Sequence, residues 1–374
     1  MLKSSIKLFK VFGIEIRLDY SWFIIFALLV YYFGFSYFPY VLPGLNKAYI
    51  AIITVVTILL FFFSILFHEL SHSIVARKMG IPVGKISLFI FGGMSEMEKE
   101  PDKPVSELLM SIAGPAASFF LAIVFLIIWL FTKHIASINI PAGYLAYINL
   151  ALGIFNLLPG FPLDGGRVLR SIIWKASKNL KKATFIASTV GRVIGFLMIA
   201  VGIYFIFAGS FINGIWLAFI GWFLQSAAYL TYRQLIFDTS LKGFKVKDMM
   251  NENMVVVKGY ITIGELVKNY FMKYRFGRFP VVEDMENKKL IGLVSIHDVK
   301  TIPREDWDLT ATGDIVEKVT DKEIIDADAE ATEVLKKMSI NNLSHLVILS
   351  DGKIIGMITK SDVLYFIQIN SELH

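Results

Sequence analysis

The chain has 374 residues, of which 55% are apolar, 32 are phenylalanine and only 18% are charged, below the roughly 25% charged usual in soluble proteins. The net charge of +6 averages two unlike parts: residues 1–240 hold 19 Lys and Arg against 10 Asp and Glu, and residues 241–374 hold 18 against 21. The absence of cysteine excludes disulfides, iron–sulfur clusters, thiolate zinc sites and cysteine nucleophiles, and the scattered basic clusters exclude a single nucleic-acid-binding stripe.

Lys3, Lys7, Lys10 and Arg17 precede the first long apolar segment, and no small-residue cleavage site follows, so that segment reads as a retained span. A membrane-spanning helix takes about 20 apolar residues, and six stretches are predicted to cross, at roughly 21–43, 49–74, 106–131, 143–173, 184–208 and 212–232. Pro159, Gly160, Pro162, Gly165 and Gly166 interrupt the fourth, which is expected to be short or discontinuous. Basic residues collect before span one, between spans two and three (Arg77, Lys78, Lys85, Lys99, Lys103) and between spans four and five (Arg170, Lys175, Lys178, Lys181, Lys182). That alternation predicts a cell-membrane protein with both termini on the cytoplasmic side.

Span two ends in His68-Glu69-Leu70-Ser71-His72. Residues four apart share a helix face, so His68 and His72 can direct imidazole nitrogens at one ion while Glu69 reaches a water beside it as general base. Ionisable groups among Phe62, Phe63, Ile65, Leu66 and Phe67 are costly unless paired or metal-bound. Catalytic zinc usually takes three protein ligands. For the third, Glu107 opens span three, His134 falls on the opposite side, and Asp164 lies in the Pro- and Gly-broken stretch at the depth of the histidines. Asp164 is preferred, the other reading being a helix cap or a partner for Arg167. Asn156 could donate to a carbonyl oxygen as charge develops, hold an extended substrate, or make a helix–helix contact.

The ordered set Phe67-His68-Glu69-Leu70-Ser71-His72, Ser111-Ile112-Ala113-Gly114-Pro115, Asn156-x-x-Pro159 and Leu163-Asp164-Gly165 resembles the site-two family of intramembrane zinc metalloproteases, peptidase family M50, across roughly residues 10–230. The resemblance implies one zinc ion per chain on His68, His72 and Asp164, with Glu69 activating the water; Asn156 is expected beside Glu69 as a second catalytic residue on its own side-chain chemistry. It also implies hydrolysis of a transmembrane segment of another protein within the lipid bilayer, as in regulated intramembrane proteolysis. Residues 83–97 alternate as a short β segment, whose edge could pair with an unwound substrate or merely cover spans two and three.

Beyond Arg233 the chain repeats. Asp248 corresponds to Asp314, and Ile291-Gly292-Leu293-Val294-Ser295-Ile296-His297-Asp298-Val299 to Ile355-Gly356-Met357-Ile358-Thr359-Lys360-Ser361-Asp362-Val363. The copies resemble tandem cystathionine-beta-synthase-type (CBS) domains, which implies an α+β module able to bind an adenine nucleotide (AMP, ADP or ATP) and to dimerise. Ser295 and Thr359 could meet phosphate and Asp298 and Asp362 a ribose, but the same spacing also makes helix caps. His297 and His345 read as ordinary surface or interface histidines.

The expectation is therefore a polytopic α-helical membrane protein with six transmembrane helices and a short membrane-associated β segment, followed by an α+β tandem CBS module. The divisions are 1–235 for the protease domain, 236–245 for a linker, 246–305 for the first CBS domain and 306–374 for the second. The rivals are a CBS-gated ion channel or transporter using the broken fourth span as its ion site, and a silent scaffold binding transmembrane helices.

Overall fold

The computed structural model describes residues 5–90, 92–97, 99–250, 254–274, 276–284, 289–350 and 353–373. The chain divides into two compact units, Met1–Arg233 and Gln234–His374.

Among the described residues, six helices, the last running from the first unit into the second, are long and apolar enough to cross a membrane: α1 (Tyr20–Val41), α2 (Lys47–Lys78), α3 (Pro104–Phe131), α4 (Ala136–Asn156), α6 (Leu180–Phe207) and α7 (Phe211–Leu241). A shorter helix, α5 (Asp164–Ser177), lies between the fourth and fifth. The chain is a multi-pass membrane protein. Polar residues inside α2 are tolerated because each hydroxyl bonds the carbonyl four residues back: Thr54 to Ile50, Thr57 to Ile53, Ser64 to Leu60, Ser71 to Phe67 and Ser73 to Glu69, at 2.7–2.9 Å.

The fourth span differs from the expected 143–173. Its helix begins at Ala136 and ends at Asn156, and a turn-rich loop at 157–163 separates it from α5. Pro159 and Pro162 lack the N–H that a continuing helix needs. Gly165 and Gly166 let the loop fold back on α5: a Cβ at Gly165 would stand 2.3 Å from the Leu157 and Leu158 carbonyl oxygens, and one at Gly166 2.3 Å from Phe161 N.

The basic N-terminal flank is structured. β1 (Ser5–Val11) and β2 (Ile14–Asp19) join β3 (Val83–Phe89) and β4 (Gly92–Met97) in a four-stranded sheet of order β1-β2-β3-β4. Ile14 and Ile16 alternate with Glu15 and Arg17, and with Ile86 they are fully buried against Ala76 of α2 and Met110 of α3. β4 is an edge strand, and it lies along the end of α2 that carries the His-Glu-x-x-His run: Ser73 Oγ and Ser95 Oγ stand 3.2 Å apart.

The second unit holds two three-stranded sheets built alike. β5 (Val257–Lys258) pairs parallel with β6 (Arg278–Val282), which pairs antiparallel with β7 (Leu290–Ser295). β8 (Ile324–Asp326), β9 (His345–Ser350) and β10 (Lys353–Thr359) repeat that order. The copies exchange their opening segments. Val246 N bonds Ala329 O and Lys247 N bonds Ala327 O, both at 3.0 Å, while Thr312 N bonds Ile261 O at 2.8 Å and Gly313 N bonds Gly259 O at 2.7 Å. Val246 accordingly sits in the core of the second copy, and Ile315 packs on that of the first.

Candidate metal centre

Three side chains from two helices converge. His68 and His72 of α2 and Asp164, the first residue of α5, bring ligand atoms together: His72 Nε2 lies 3.1 Å from His68 Nε2, and Asp164 Oδ2 lies 3.2 Å from His68 Nε2 and 3.1 Å from His72 Nε2. The histidines are 4% and 6% exposed, so water does little to screen this arrangement. Of the other residues weighed as a third ligand, Glu107 is fully buried but faces Arg170, whose Nε donates to it at 2.6 Å. His134 is exposed in the turn after α3, outside the cluster.

The outer ring nitrogens are also fixed. His68 Nδ1 stands 2.8 Å from Ser118 Oγ and His72 Nδ1 2.7 Å from the Met110 carbonyl, both on α3. His72 Nδ1 must donate to that carbonyl, which leaves Nε2 as a lone-pair donor towards the cluster, as in metal-binding histidines. Ser118 and Met110 were not legible as functional residues: the carbonyl has no sequence signature, and Ser118 shows only as a lone hydroxyl in an apolar helix.

Zinc fits this donor set. Tetrahedral bonds of about 2.0–2.1 Å hold ligand atoms about 3.3 Å apart, close to the 3.1–3.2 Å found here. Gly114 of α3 keeps the face of both imidazoles clear: a Cβ there would lie 2.1 Å from His72 Nε2 and 2.6 Å from His68 Nε2. Two neutral imidazoles and a carboxylate are borderline-to-hard ligands suited to a divalent ion, and no thiolate competes.

The cluster opens on a cavity of about 680 Å³ whose wall includes His68, Glu69, Asp164, Asn156 and Asn149. Glu69 follows His68 round the helix and is held from β4, where Ser95 Oγ donates to its Oε2 at 2.9 Å. Asn156 Nδ2 donates to Leu152 O at 3.0 Å, and its side chain shares the cavity wall. Four of the five membrane-unit residues singled out from sequence, His68, Glu69, Asn156 and Asp164, thus line one cavity, and His72 joins them through its contacts with His68 and Asp164.

The nucleotide candidates in the second unit are arranged differently. Ser295 N and Oγ donate to Asp298 Oδ2 at 2.7 and 2.8 Å, and Thr359 N and Oγ1 donate to Asp362 Oδ2 at 2.8 and 2.7 Å. Both pairs cap the helices that follow, Ile296–Val299 and Lys360–Leu373. A cavity of about 560 Å³ within this unit is walled by Thr359, Asp362, Lys360, Arg278 and His345, whereas Ser295 and Asp298 are not on its wall. His297 is exposed, but His345 is 8% exposed, and burial together with the nearby Arg278 guanidinium holds its imidazole below the ordinary histidine range.

Comparison with known proteins agrees with the geometry. The Peptidase family M50 profile matches residues 56–139 and 133–201, and the CBS domain profile matches 246–304 and 313–369. A zinc metalloprotease of Methanocaldococcus jannaschii is 33% identical over 96% of this chain and 95% of its own length. A candidate zinc metalloprotease of Synechocystis sp. is 32% identical over 99% and 97%. The solved site-2 protease of Methanocaldococcus jannaschii covers 61% of this chain and 95% of that one at 33% identity, with a TM-score of 0.41. The chain belongs to peptidase family M50 and is a membrane zinc metalloendopeptidase that carries a pair of CBS domains at its C-terminal side.

Proposed function

We propose that this enzyme hydrolyses a peptide bond in or near a transmembrane segment of a substrate protein, with His68, His72 and Asp164 holding one zinc ion and Glu69 acting as general base. The observation that carries the reading is the convergence of three ligand atoms beside Glu69 on one cavity between membrane-spanning helices. Zinc bound by His68, His72 and Asp164 would lower the pKa of water and polarise a peptide carbonyl. Glu69 takes the proton of the attacking water on a carboxylate oxygen and then passes it to the departing amine. Ser95 orients that carboxylate through Oε2. Asn156, which spends one Nδ2 hydrogen on Leu152 O, keeps the other for the carbonyl oxygen of the scissile bond as charge builds there.

A helical substrate has its carbonyls and N–H groups already bonded and must unwind before attack. The edge strand β4 offers backbone partners to the unwound chain. We assign catalysis to residues 1–235 and control to the CBS domains at 246–305 and 306–374, joined by 236–245, with the termini and the active-site end on the cytoplasmic side. An adenine nucleotide in the cavity walled by Arg278, Lys360, Thr359 and Asp362 would modulate cleavage, and the CBS pair is a natural surface for a homodimer. The channel reading used the broken fourth span as its ion site; the break at 157–163 is present, but Asp164 beyond it is engaged with the two histidines.

The test is cleavage of a membrane-inserted peptide by the purified protein in liposomes. Cleavage should stop with a chelator and return with zinc, and shift on adding ATP or AMP. Chelator-resistant cleavage contradicts the metalloprotease chemistry at this site, and indifference to nucleotide contradicts the control.

A further inference from the structure

Two amide side chains lie seven residues apart on α4, about two helical turns, and both stand on the wall of the metal-site cavity: Asn149 and Asn156. Each spends an Nδ2 hydrogen on its own helix, Asn149 on Leu145 O at 2.8 Å and Asn156 on Leu152 O at 3.0 Å. Asn149 spends its second Nδ2 hydrogen as well, on Ser64 Oγ at 3.1 Å. The Ser64 proton is itself committed to Leu60 O at 2.9 Å, so that hydroxyl can only accept and the amide cannot be turned round.

Asn149 Oδ1 is therefore an acceptor without a partner on a residue that is 0% exposed. Buried carbonyls of this kind are rare, and each calls for a function or a hidden partner. Among the described residues, the other buried side-chain atoms without a partner, Asp19 Oδ2, Trp22 Nε1, Glu107 Oε2, Thr184 Oγ1 and Ser188 Oγ, belong to residues off the cavity wall.

Resting on the protease reading above, we propose that Asn149 is a substrate-contacting residue whose Oδ1 accepts a hydrogen bond from a backbone N–H of the unwound peptide. The chemistry selects a donor, because both Asn149 hydrogens are spent. A segment drawn out of a membrane helix supplies such donors, since unwinding frees its backbone N–H groups where no water replaces the lost bonds. About 10.5 Å of helix axis separates Asn149 from Asn156, which is about three residues of extended chain at ~3.3 Å each. One peptide lying along α4 can thus meet both amides. Asn149 is closed to water in this structure, so a peptide reaches its oxygen only as the cavity wall yields to the inserted chain, and an intact helix has no free N–H to give. The residue discriminates unwound from helical substrate.

The test uses the full-length protein in liposomes and a lysine-flanked Leu/Ala peptide of about 20 apolar residues with a central Gly-Gly, chosen as cut by wild type and left intact by Glu69→Gln. Amides near the scissile bond are replaced one at a time by esters, each removing one N–H. At one position the ester should lower wild-type kcat/KM by about 5- to 10-fold, chiefly through KM. Asn149→Ala should show the same loss with the all-amide peptide and no further loss with that ester. Additive losses at every position would mean that Asn149 holds only a water or its neighbouring helix, and would overturn the inference while leaving the protease reading intact. Asn149→Ser serves if the Ala variant fails to fold, and zinc content equal to wild type shows that the cluster is undisturbed. Wild-type protein that cuts no such peptide contradicts the protease reading and this inference together.

Discussion

The membrane unit and the CBS unit each carry a short motif with an established chemical meaning, yet their polar atoms are spent differently. In the membrane unit His68, His72 and Asp164 turn their ligand atoms on one another at 3.1–3.2 Å, an arrangement that serves no helix cap or turn. In the CBS unit Ser295 with Asp298, and Thr359 with Asp362, satisfy each other and the backbone as helix caps. A motif whose polar groups are already consumed locally is a weaker pointer to a ligand than one whose groups converge from separate helices.

Substitutions can break that contrast. The largest effect is expected at the cluster: Asp164→Ala or His72→Ala should lose zinc and drop cleavage to background, measured as metal content and turnover. Gly114→Ala should do nearly the same, because its Cβ would stand 2.1 Å from His72 Nε2; normal zinc content in that variant would contradict the close approach of α3. Ser118→Ala should weaken zinc binding about 10- to 100-fold by freeing the His68 ring, read by competition with a chromophoric chelator.

The caps should behave otherwise. Asp298→Ala and Asp362→Ala should each cost about 1 kcal/mol of stability in urea unfolding, but only Asp362→Ala, which alters the cavity wall, should weaken ATP binding. Equal losses of binding in both would restore a nucleotide role to the first copy. The smallest effect concerns pH. Burial and Arg278 favour the neutral His345 imidazole in the folded unit, while the unfolded chain takes up its proton near pH ~6.5. The contribution of neutral His345 is therefore full above that value and is lost as pH falls below it. The urea midpoint should drop between about pH 7.5 and about pH 5.5, and the drop should be smaller in His345→Gln.

Much of this was legible because it is local. Apolar runs fix the spans, and residues four apart fix the histidine face. Asp164 could be preferred because Pro159, Pro162 and the two glycines mark a non-helical backbone. What escaped depends on tertiary arrangement. The alternation of Ile14, Ile16 and Leu18 with Glu15 and Arg17 was hidden inside a basic flank, so β1 and β2 went unrecognised. Ser95, Ser118 and the Met110 carbonyl act only through side chains more than twenty positions away. The exchange of opening segments between the CBS copies leaves no trace in a repeat, since either pairing has the same sequence. The break after α4 was expected from the prolines and glycines at 159–166, but the bounds drawn for the span, 143–173, began late and ran across it, because proline and glycine mark an interruption without fixing where the helix before it starts or stops.

The central claim is a zinc site with Glu69 as its base. The most direct measurement is zinc content and cleavage on the same preparations of wild-type and Glu69→Gln protein. About one zinc per chain in both is expected, with cleavage reduced at least about a hundredfold in the variant. Wild-type protein without zinc, or a variant that cleaves as wild type does, would contradict it.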